Sequence, residues 1–184
     1  MEFRLIYQGY LKSNGNVEEK HKIRKCFHPQ LKELWNQSPL KDCRDWLEVP
    51  PRKNKISIIE QIGGFQFAPL VTRRQSLFCE LDVILLRPEE PGKFIRSGDI
   101  DNRLKTLFDA LRRPKDESEI PSNEKPTMEE TPFFCLLQDD VLIVSVSVTC
   151  DRLLCRTNPL DVFLLIHVKV KGTQTTWNNI GIIG

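Results

Sequence analysis

Apolar and polar positions alternate in several segments of the chain, and this alternation predicts β-strands. The segment from Leu77 to Leu86 is the clearest, because apolar residues fall at every second position while Glu80 and Asp82 interrupt the other face. A strand presents successive side chains to opposite faces of a sheet, so one face of this strand is expected to be buried. Two apolar segments also flank Gly63 and Gly64, which is a hairpin signal. The predicted strands are residues 3–11, 56–62, 65–71, 77–86, 142–150 and 162–170.

Apolar residues at helical spacing predict helices in two regions. Between residues 17 and 35 they recur every three or four positions, but Pro29 interrupts them, so we expect two short helices or one kinked helix. Residues 99–113 carry an apolar stripe that includes Phe108, which predicts a helix beside the core. Residues 36–55 contain prolines and basic residues and are expected to form a surface loop. These elements predict an α+β fold with a mixed β-sheet and helices packed on it.

Length and composition then limit the organisation of the chain. Its 184 residues suffice for one domain with a hydrophobic core, so we expect a single domain over residues 1–184. Residues 114–132 are rich in proline and acidic side chains and poor in apolar ones, which predicts a flexible acidic insertion. The net charge of +2 neither demands nor excludes a nucleic-acid partner, because a positive groove can exist within a near-neutral total.

The sequence also indicates a cytoplasmic protein without a membrane partner. No stretch approaches the 18 or so consecutive apolar residues of a membrane span, and the first residues lack the pattern of a secretory leader. The six cysteines are then expected to be reduced thiols. Cys150 and Cys155 could bind zinc together with His167, but no second close cysteine pair supports a structural zinc site.

Acidic residues cluster at the start of the predicted helix 99–113. Asp101, Lys105 and Asp109 are four residues apart and therefore lie on one face, and Asp99 stands at the helix start. Each has an ordinary explanation: an aspartate at a helix N-terminus accepts backbone N–H groups, and an Asp–Lys pair adds only about 0.3–0.5 kcal/mol. The alternative explanation is a metal site.

A second acidic element favours the metal site. Asp139 and Asp140 directly precede the apolar strand predicted over residues 142–150. Like charges beside a core repel each other and resist desolvation, and a divalent cation would relieve both costs. Oxygen ligands without histidine or cysteine nearby favour Mg²⁺ or Mn²⁺ over zinc. If the two elements converge, Lys105 is left to meet a substrate anion, and the metal ligands are Asp99, Asp101, Asp139 and Asp140.

The stretch GDIDNRLKTLFDAL, followed by LLQDD and an apolar strand, resembles the RusA family of Holliday-junction resolvases. That family's pattern combines Asp-x-Asp-Asn, a lysine within the helix, Asp-Ala/Gly-Leu, and an Asp-Asp pair that leads into a strand. The match is tight over residues 97–111 and the Asp-Asp pair, vaguer over residues 78–88 and the closing strands, and not clear over residues 17–75. The family's helix is joined to its Asp-Asp pair by a short connection, whereas this chain carries residues 114–132 there.

The resemblance implies a RusA-like, homodimeric, Mg²⁺-dependent endonuclease that cuts four-way DNA junctions symmetrically during recombination and repair. By position it implies that Asp99, Asp101 and Asp140 are metal-binding catalytic carboxylates and that Lys105 is an essential cation. Asn102 also falls on the pattern, and Asp109 is either a partner of Lys105 or a charge on the helix surface. The alternatives are a metal-dependent nuclease of broader substrate range and a non-catalytic nucleic-acid-binding protein with an impaired site.

Branched DNA as a partner requires contacts to phosphates, and basic side chains supply these. Each basic residue is by default an ordinary surface charge. Phe65 and Phe67 follow the double glycine and could act as a wedge between bases, although a hairpin that contributes to the core is the more ordinary role. The candidate DNA contacts are Arg73, Arg74, Arg103 and Lys169.

Overall fold

Two β-sheets and three α-helices make up the part of the chain that the computed structural model describes, which is residues 1–51, 53, 56–88, 99–154, 158, 161–176 and 179–183. The side chain of Asp99 also lies outside the described part. The strands are β1 Glu2–Tyr10, β2 Glu60–Ile62, β3 Phe65–Val71, β4 Leu77–Arg87, β5 Phe133–Leu137, β6 Ile143–Arg152 and β7 Asp161–Gly172. The helices are α1 Val17–Leu34, α2 Asp99–Leu111 and α3 Ile180–Ile183.

The larger sheet has the strand order β1-β7-β4-β6. Strand β7 pairs antiparallel with both β1 and β4, and β6 pairs parallel with β4. The smaller sheet has the order β2-β3-β5, with β2 and β3 antiparallel and β5 parallel to β3. Gly63 connects β2 to β3 with a φ of +54°, a conformation that glycine adopts without the steric penalty of a side chain. The α+β class is confirmed, but the strands form two sheets instead of one.

The core lies on one face of the larger sheet. Its alternating strands supply buried side chains such as Leu81 and Ile166, and α1 and α2 contribute Ile23, Phe27 and Leu107 to the same cluster. The opposite face of the sheet is polar along part of its surface and carries cross-strand ion pairs. These pairs are Asp82 with Lys169 and Glu80 with Lys171, and the His167 ring lies 3.0 Å from the Glu2 carboxylate on the same face.

Helix α1 is a single helix that includes Pro29, where the sequence predicts two short helices or one kinked helix. It begins at a capping box, in which the Asn16 side chain accepts from the Glu19 N–H and the Glu19 carboxylate accepts from the Asn16 N–H. Near the C-terminal end of α1, Gln30 exchanges hydrogen bonds with both backbone groups of Ile6 in β1. This side chain ties α1 to the edge of the larger sheet.

Strand β5 is the strand of the described residues that the sequence does not predict. It is buried at every position, so it shows no alternation that would distinguish it from the apolar residues that follow. The opposite difference occurs in β6, which is a strand as predicted but leaves Val144 and Val146 exposed by 57% and 41%. Within the described residues β6 stands at the end of its sheet, so its apolar face is only partly covered.

The segment 36–55 is not only a surface loop where it is described. Residues Leu40–Leu47 form a 3₁₀ helix, and Leu40 and Trp46 are buried in the core. The Trp46 ring meets that of Trp35 edge to face, at a distance of 6.2 Å between centroids.

No helix in the described part of the chain combines the length and apolar character that crossing a membrane requires.

Residues 114–132, where composition predicts a flexible acidic insertion, follow a path over α1 that is held by ion pairs. Lys25 contacts the carboxylates of Glu124 and Glu130 at 2.8 and 3.5 Å, and Lys32 contacts Glu129 at 2.5 Å. Two short 3₁₀ turns, Glu117–Glu119 and Met128–Glu130, lie within the segment. Flexibility in solution stays a prediction, but much of the acidic charge is already neutralised by lysines of α1.

The buried position of His21 indicates that the folded protein loses stability in acid. The residue is 1% exposed, and its burial beside Arg24 lowers its pKa from 6.5 to about 4. Arg24 Nη1 lies 3.4 Å from His21 Nδ1, and His21 Nε2 has no hydrogen-bond partner among the described residues. Because the unfolded chain takes up a proton below pH 6.5 and the folded one does not, stability should fall by about 3 kcal/mol between about pH 7 and pH 4.

Urea unfolding of the wild type and of His21→Phe at both pH values measures this contribution. The variant should lack that share of the pH dependence, while the dependence that arises from carboxylates remains. An identical pH dependence in the two proteins would show that His21 does not titrate as its burial implies.

Candidate functional site

The Asp139–Asp140 pair occupies the turn between the buried strand β5 and the edge strand β6. Asp139 caps the 3₁₀ turn Asp140–Leu142, because its carboxylate accepts the Val141 N–H at 3.1 Å and its carbonyl accepts the Leu142 N–H at 3.2 Å. Both aspartates are half-buried. The turn therefore fixes two adjacent carboxyl groups at the end of a buried strand.

The pKa values of these two carboxyl groups are shifted in opposite directions. Partial burial and the neighbouring Asp139 carboxyl raise the pKa of Asp140 above its ordinary value. Burial acts in the same sense on Asp139, but the Val141 N–H and the Asp140 carboxyl outweigh it, and its pKa is lowered. Lys115 and Arg73 add favourable charge interactions with Asp139. The two carboxyl groups therefore titrate as a pair, and burial together with the neighbouring Asp139 carboxyl disfavours the negative charge on Asp140.

Gln138 holds this turn in place, and the sequence analysis does not identify it. Its backbone N–H donates to the Val71 carbonyl at 3.0 Å, and its side-chain oxygen accepts the Arg73 N–H at 3.0 Å. Its side-chain nitrogen donates to Glu60 Oε1 at 2.6 Å. One residue therefore links the acidic turn to β2, β3 and the turn before β4. Its place directly before the aspartates was the only available signal.

Helix α2 contacts the turn Asp140–Leu142 and carries the other predicted acids. Asp101 and Lys105 are exposed on its outer surface, and Asp99 is its first residue. The acidic turn is therefore a neighbour of α2, but the described side chains of Asp101, Asp139 and Asp140 do not form a group that could hold a metal ion. Among the residues whose side chains the structure describes, no group of three or more histidine, cysteine, aspartate or glutamate residues could hold a metal ion. The Asp99 side chain lies outside that set, as does Cys155 of the weighed zinc site.

Asp109 has a different environment from the one predicted for it. It is 8% exposed, and its carboxylate binds Lys20 at 2.7 Å and Arg112 at 2.8 Å. It is therefore neither a partner of Lys105 nor an exposed helix charge, because α1 covers this side of α2. Asn102 and Lys105 line a cleft of about 120 Å³ on the same side, which Lys20 and Asp109 also border. The sequence offers no signal for Lys20, since it lies in a different helix.

Arg24 closes the end of α2 and is a second residue that sequence reasoning misses. Its side chain is buried, and it donates to the carbonyls of Asp109 at 3.0 Å and Arg112 at 3.2 Å. The last carbonyls of a helix have no partner within the helix, so a cation there both satisfies them and complements the dipole. Burial lowers the Arg24 pKa to about 10, so the side chain remains charged at neutral pH.

The four basic residues predicted to contact DNA do not lie on one surface. Arg73 is exposed beside the acidic turn, and Arg74 donates to the Ser57 carbonyl at 3.1 Å. Arg103 donates to the Leu11 carbonyl, at the end of β1. Lys169 binds Asp82 at 2.7 Å on the face of the larger sheet opposite to the helices. Of the four, Arg73 is the one whose charge acts on the Asp139 carboxylate.

The two phenylalanines considered as a wedge between bases are part of a core. Phe65 and Phe67 are 1% and 0% exposed and stack with a centroid distance of 5.6 Å. Phe133 and Cys135 of β5 complete this smaller apolar cluster. The hairpin therefore serves packing, which was the more ordinary of the two interpretations.

Comparison of the chain with models of known protein families, with curated proteins and with solved structures finds no match.

Proposed function

We propose that this protein is a RusA-like, Mg²⁺-dependent endodeoxyribonuclease that cuts four-way DNA junctions. The observation that carries the proposal is the Asp139–Asp140 pair, whose carboxyl groups are held together, half-buried, in a turn that helix α2 contacts. Burial and the neighbouring Asp139 carboxyl disfavour the negative charge on Asp140, and a bound divalent cation would offset both effects. The resemblance of residues 97–111 to the resolvase pattern supplies the reaction.

The residues proposed to hold Mg²⁺ or Mn²⁺ are Asp99, Asp101, Asp139 and Asp140. Their donor set fits a hard cation, since carboxylate oxygens are the ligands such ions prefer and no histidine or cysteine belongs to the set. When bound, the metal supplies activation of water and stabilisation of charge on the phosphate. Arg73 and Lys115, which act electrostatically on Asp139, would draw the DNA backbone towards the turn.

Lys105 is proposed to stabilise negative charge on the phosphate during cleavage. It is exposed on α2, and Arg24 at the buried end of that helix fixes the helix without occupying its outer surface. A cation that is held near the phosphate before the reaction needs little reorganisation when negative charge develops there. Gln138 and Asp109 act as positioning residues, because each fixes an element that carries a proposed ligand.

A homodimer is part of the proposal, because symmetric resolution of a junction needs two cuts on opposed strands. The resemblance and this geometric requirement support it. A nuclease of broader substrate range and a non-catalytic nucleic-acid-binding protein are the competing outcomes of the experiment that follows.

We expect the purified protein with Mg²⁺ to cleave a synthetic four-way junction in preference to linear duplex of the same sequence. Asp101→Asn should bind the junction with unchanged affinity and fail to cut it. Asp151→Asn, which changes an exposed aspartate at the opposite end of β6, is the matched control and should cut normally. Gel-resolved cleavage and binding assays report both quantities. Equal cutting of duplex would favour the broader nuclease, and no cutting with Mg²⁺ or Mn²⁺ would contradict the proposed activity.

A further inference from the structure

An apolar groove lies directly beside the Asp139–Asp140 turn. Its volume is about 510 Å³, and it is formed by the turn before β4, the turn Asp140–Leu142 and the start of β6. Val141 and Val144 line it and are 60% and 57% exposed. Exposed valines are individually ordinary, but here they line a concavity together with the half-buried ring of Phe78.

The rim of this groove is polar and in part positively charged. Arg73, Ser76 and Thr173 line it, and the Arg73 backbone is fixed to the Gln138 side chain at 3.0 Å. Thr173 donates to the Ser76 carbonyl from its backbone N–H at 2.9 Å and from its hydroxyl at 3.3 Å. Ser76 has a φ of +54°, which a residue other than glycine adopts at a cost of about 1–3 kcal/mol. One wall of the groove is therefore the turn before β4, which hydrogen bonds hold in a strained conformation.

We propose that this groove binds an unstacked nucleobase of the DNA strand that lies at the Asp139–Asp140 turn. A nucleobase has apolar faces and a polar edge, which match the valine and phenylalanine walls and the hydroxyl-lined rim. The phosphate attached to that base carries the charge that Arg73 would meet. Val141 follows Asp140 directly in the chain, so a single nucleotide could occupy the groove while its phosphate reaches the acids.

The proposal rests on the proposed function and specifies how the substrate is selected. Taking a base out of a stack costs a few kcal/mol in a regular duplex and less where the stack is already interrupted, as at the centre of a branched junction. A groove that accepts only unstacked bases would therefore favour branched DNA over linear duplex. Arg73 at the rim favours an anionic strand over a purely apolar surface as the occupant of the groove.

Binding to two labelled oligonucleotides of equal charge tests the proposal without metal and without cleavage. One is a short single strand with natural bases, and the other has the same sugar–phosphate backbone with abasic sites. Stacking on a protein surface contributes about 1–3 kcal/mol per base, so the full chain should bind the natural strand at least about fivefold more tightly. Fluorescence anisotropy at one fixed salt concentration measures this ratio.

Val144→Gln should abolish this ratio, because it places a polar amide against the apolar wall. Val146→Gln is the matched control, since Val146 is also exposed on β6 but does not line the groove, and it should keep the ratio. Phe78→Leu retains an apolar side chain without the ring and should reduce the ratio. All three are compared after circular dichroism has shown that they fold like the wild type.

Equal binding of natural and abasic strands by the wild type would overturn the proposal, as would a Val144→Gln variant that keeps the wild-type ratio. Light scattering adds a third outcome: if Val144→Gln changes the oligomeric state and leaves the ratio intact, the groove is a contact between copies of the chain. Failure of the proposed function would show itself separately, as the absence of cleavage by the wild type. A base-dependent affinity would survive that failure.

Discussion

Asp139→Asn and Asp140→Asn are each expected to lower the rate of junction cleavage by at least about 100-fold. Each change removes one negative charge from the proposed metal site, and stabilisation of the transition state by a bound ion amounts to several kcal/mol. Asparagine has nearly the same shape as aspartate and can still cap the turn, so the fold should persist. Single-turnover cleavage at saturating Mg²⁺ measures the effect.

Asp116→Asn is the matched control for Asp139→Asn. Asp116 caps the 3₁₀ turn Glu117–Glu119 by accepting the Ser118 N–H at 2.9 Å, just as Asp139 caps its own turn by accepting the Val141 N–H. If Asp139 served only as a cap, the two variants would behave alike and both would cut at the wild-type rate. Only the proposed function predicts that one of them loses cleavage.

Asp140→Asn carries a second expected result, which is a gain in stability without metal. Because the pKa of Asp140 is raised in the folded state, ionisation of this group above its unfolded pKa disfavours folding. The amide cannot ionise, so the variant should unfold at a higher urea concentration than the wild type at pH 7 in the presence of a chelator. Lower stability with normal cleavage would show that the carboxyl pair is structural. Functional sites commonly store such local strain.

The elements that the sequence predicts best are those with one buried and one exposed face. Strands β4 and β7 alternate cleanly because α1 and α2 cover one side of their sheet while ion pairs such as Asp82–Lys169 occupy the other. Strand β5 is buried on both faces, so periodicity gives no information about it. Because β5 is not predicted, the sequence does not show that the Asp139–Asp140 turn connects two strands of different sheets.

The candidate site shows the same division between local and long-range information. Spacing along α2 is a local property, and the sequence places Asp101 and Lys105 on one outer surface, where both are exposed. Spacing does not reveal that α1 covers the side of α2 on which Asp109 lies. The sequence therefore predicts that Asp109 is a partner of Lys105 or a surface charge, whereas Asp109 binds Lys20 of α1. Lys169 is likewise predicted to contact DNA from its charge alone, whereas its position in β7 places it on the face of the sheet away from the helices.

The polar residues that support the site are the least predictable part of it. Gln138 and Arg24 act through contacts with elements that are distant in sequence, and neither belongs to a recognisable motif. Arg24 bonds to carbonyls of α2 and Gln138 bonds to groups of β2, β3 and the turn before β4, so the contribution of both residues depends on the geometry of the fold. A buried arginine is uncommon, and only the fold shows that it terminates α2.

Asp109→Asn is expected to lower the free energy of unfolding by about 3–5 kcal/mol. The change leaves Arg112, which is 2% exposed, with one of its two carboxylate partners, and removing one member of a buried ion pair has an effect of this size. Lys20 and Arg112 hold the pKa of Asp109 below its usual value in spite of burial. The stabilisation is therefore present above the unfolded pKa and is lost as the pH falls through the folded pKa.

Glu119→Gln is the control that separates burial from charge, because Glu119 also binds Arg112, at 2.7 Å, but its side chain is 31% exposed against 11% for Asp109. It should cost only about 1 kcal/mol, as a more solvated pair does. A double-mutant cycle of Asp109→Asn with Lys20→Met should give a coupling energy of about 1–3 kcal/mol in urea unfolding. If Asp109→Asn instead abolished cleavage with unchanged stability, Asp109 would belong to the chemical site and not to the support of α2.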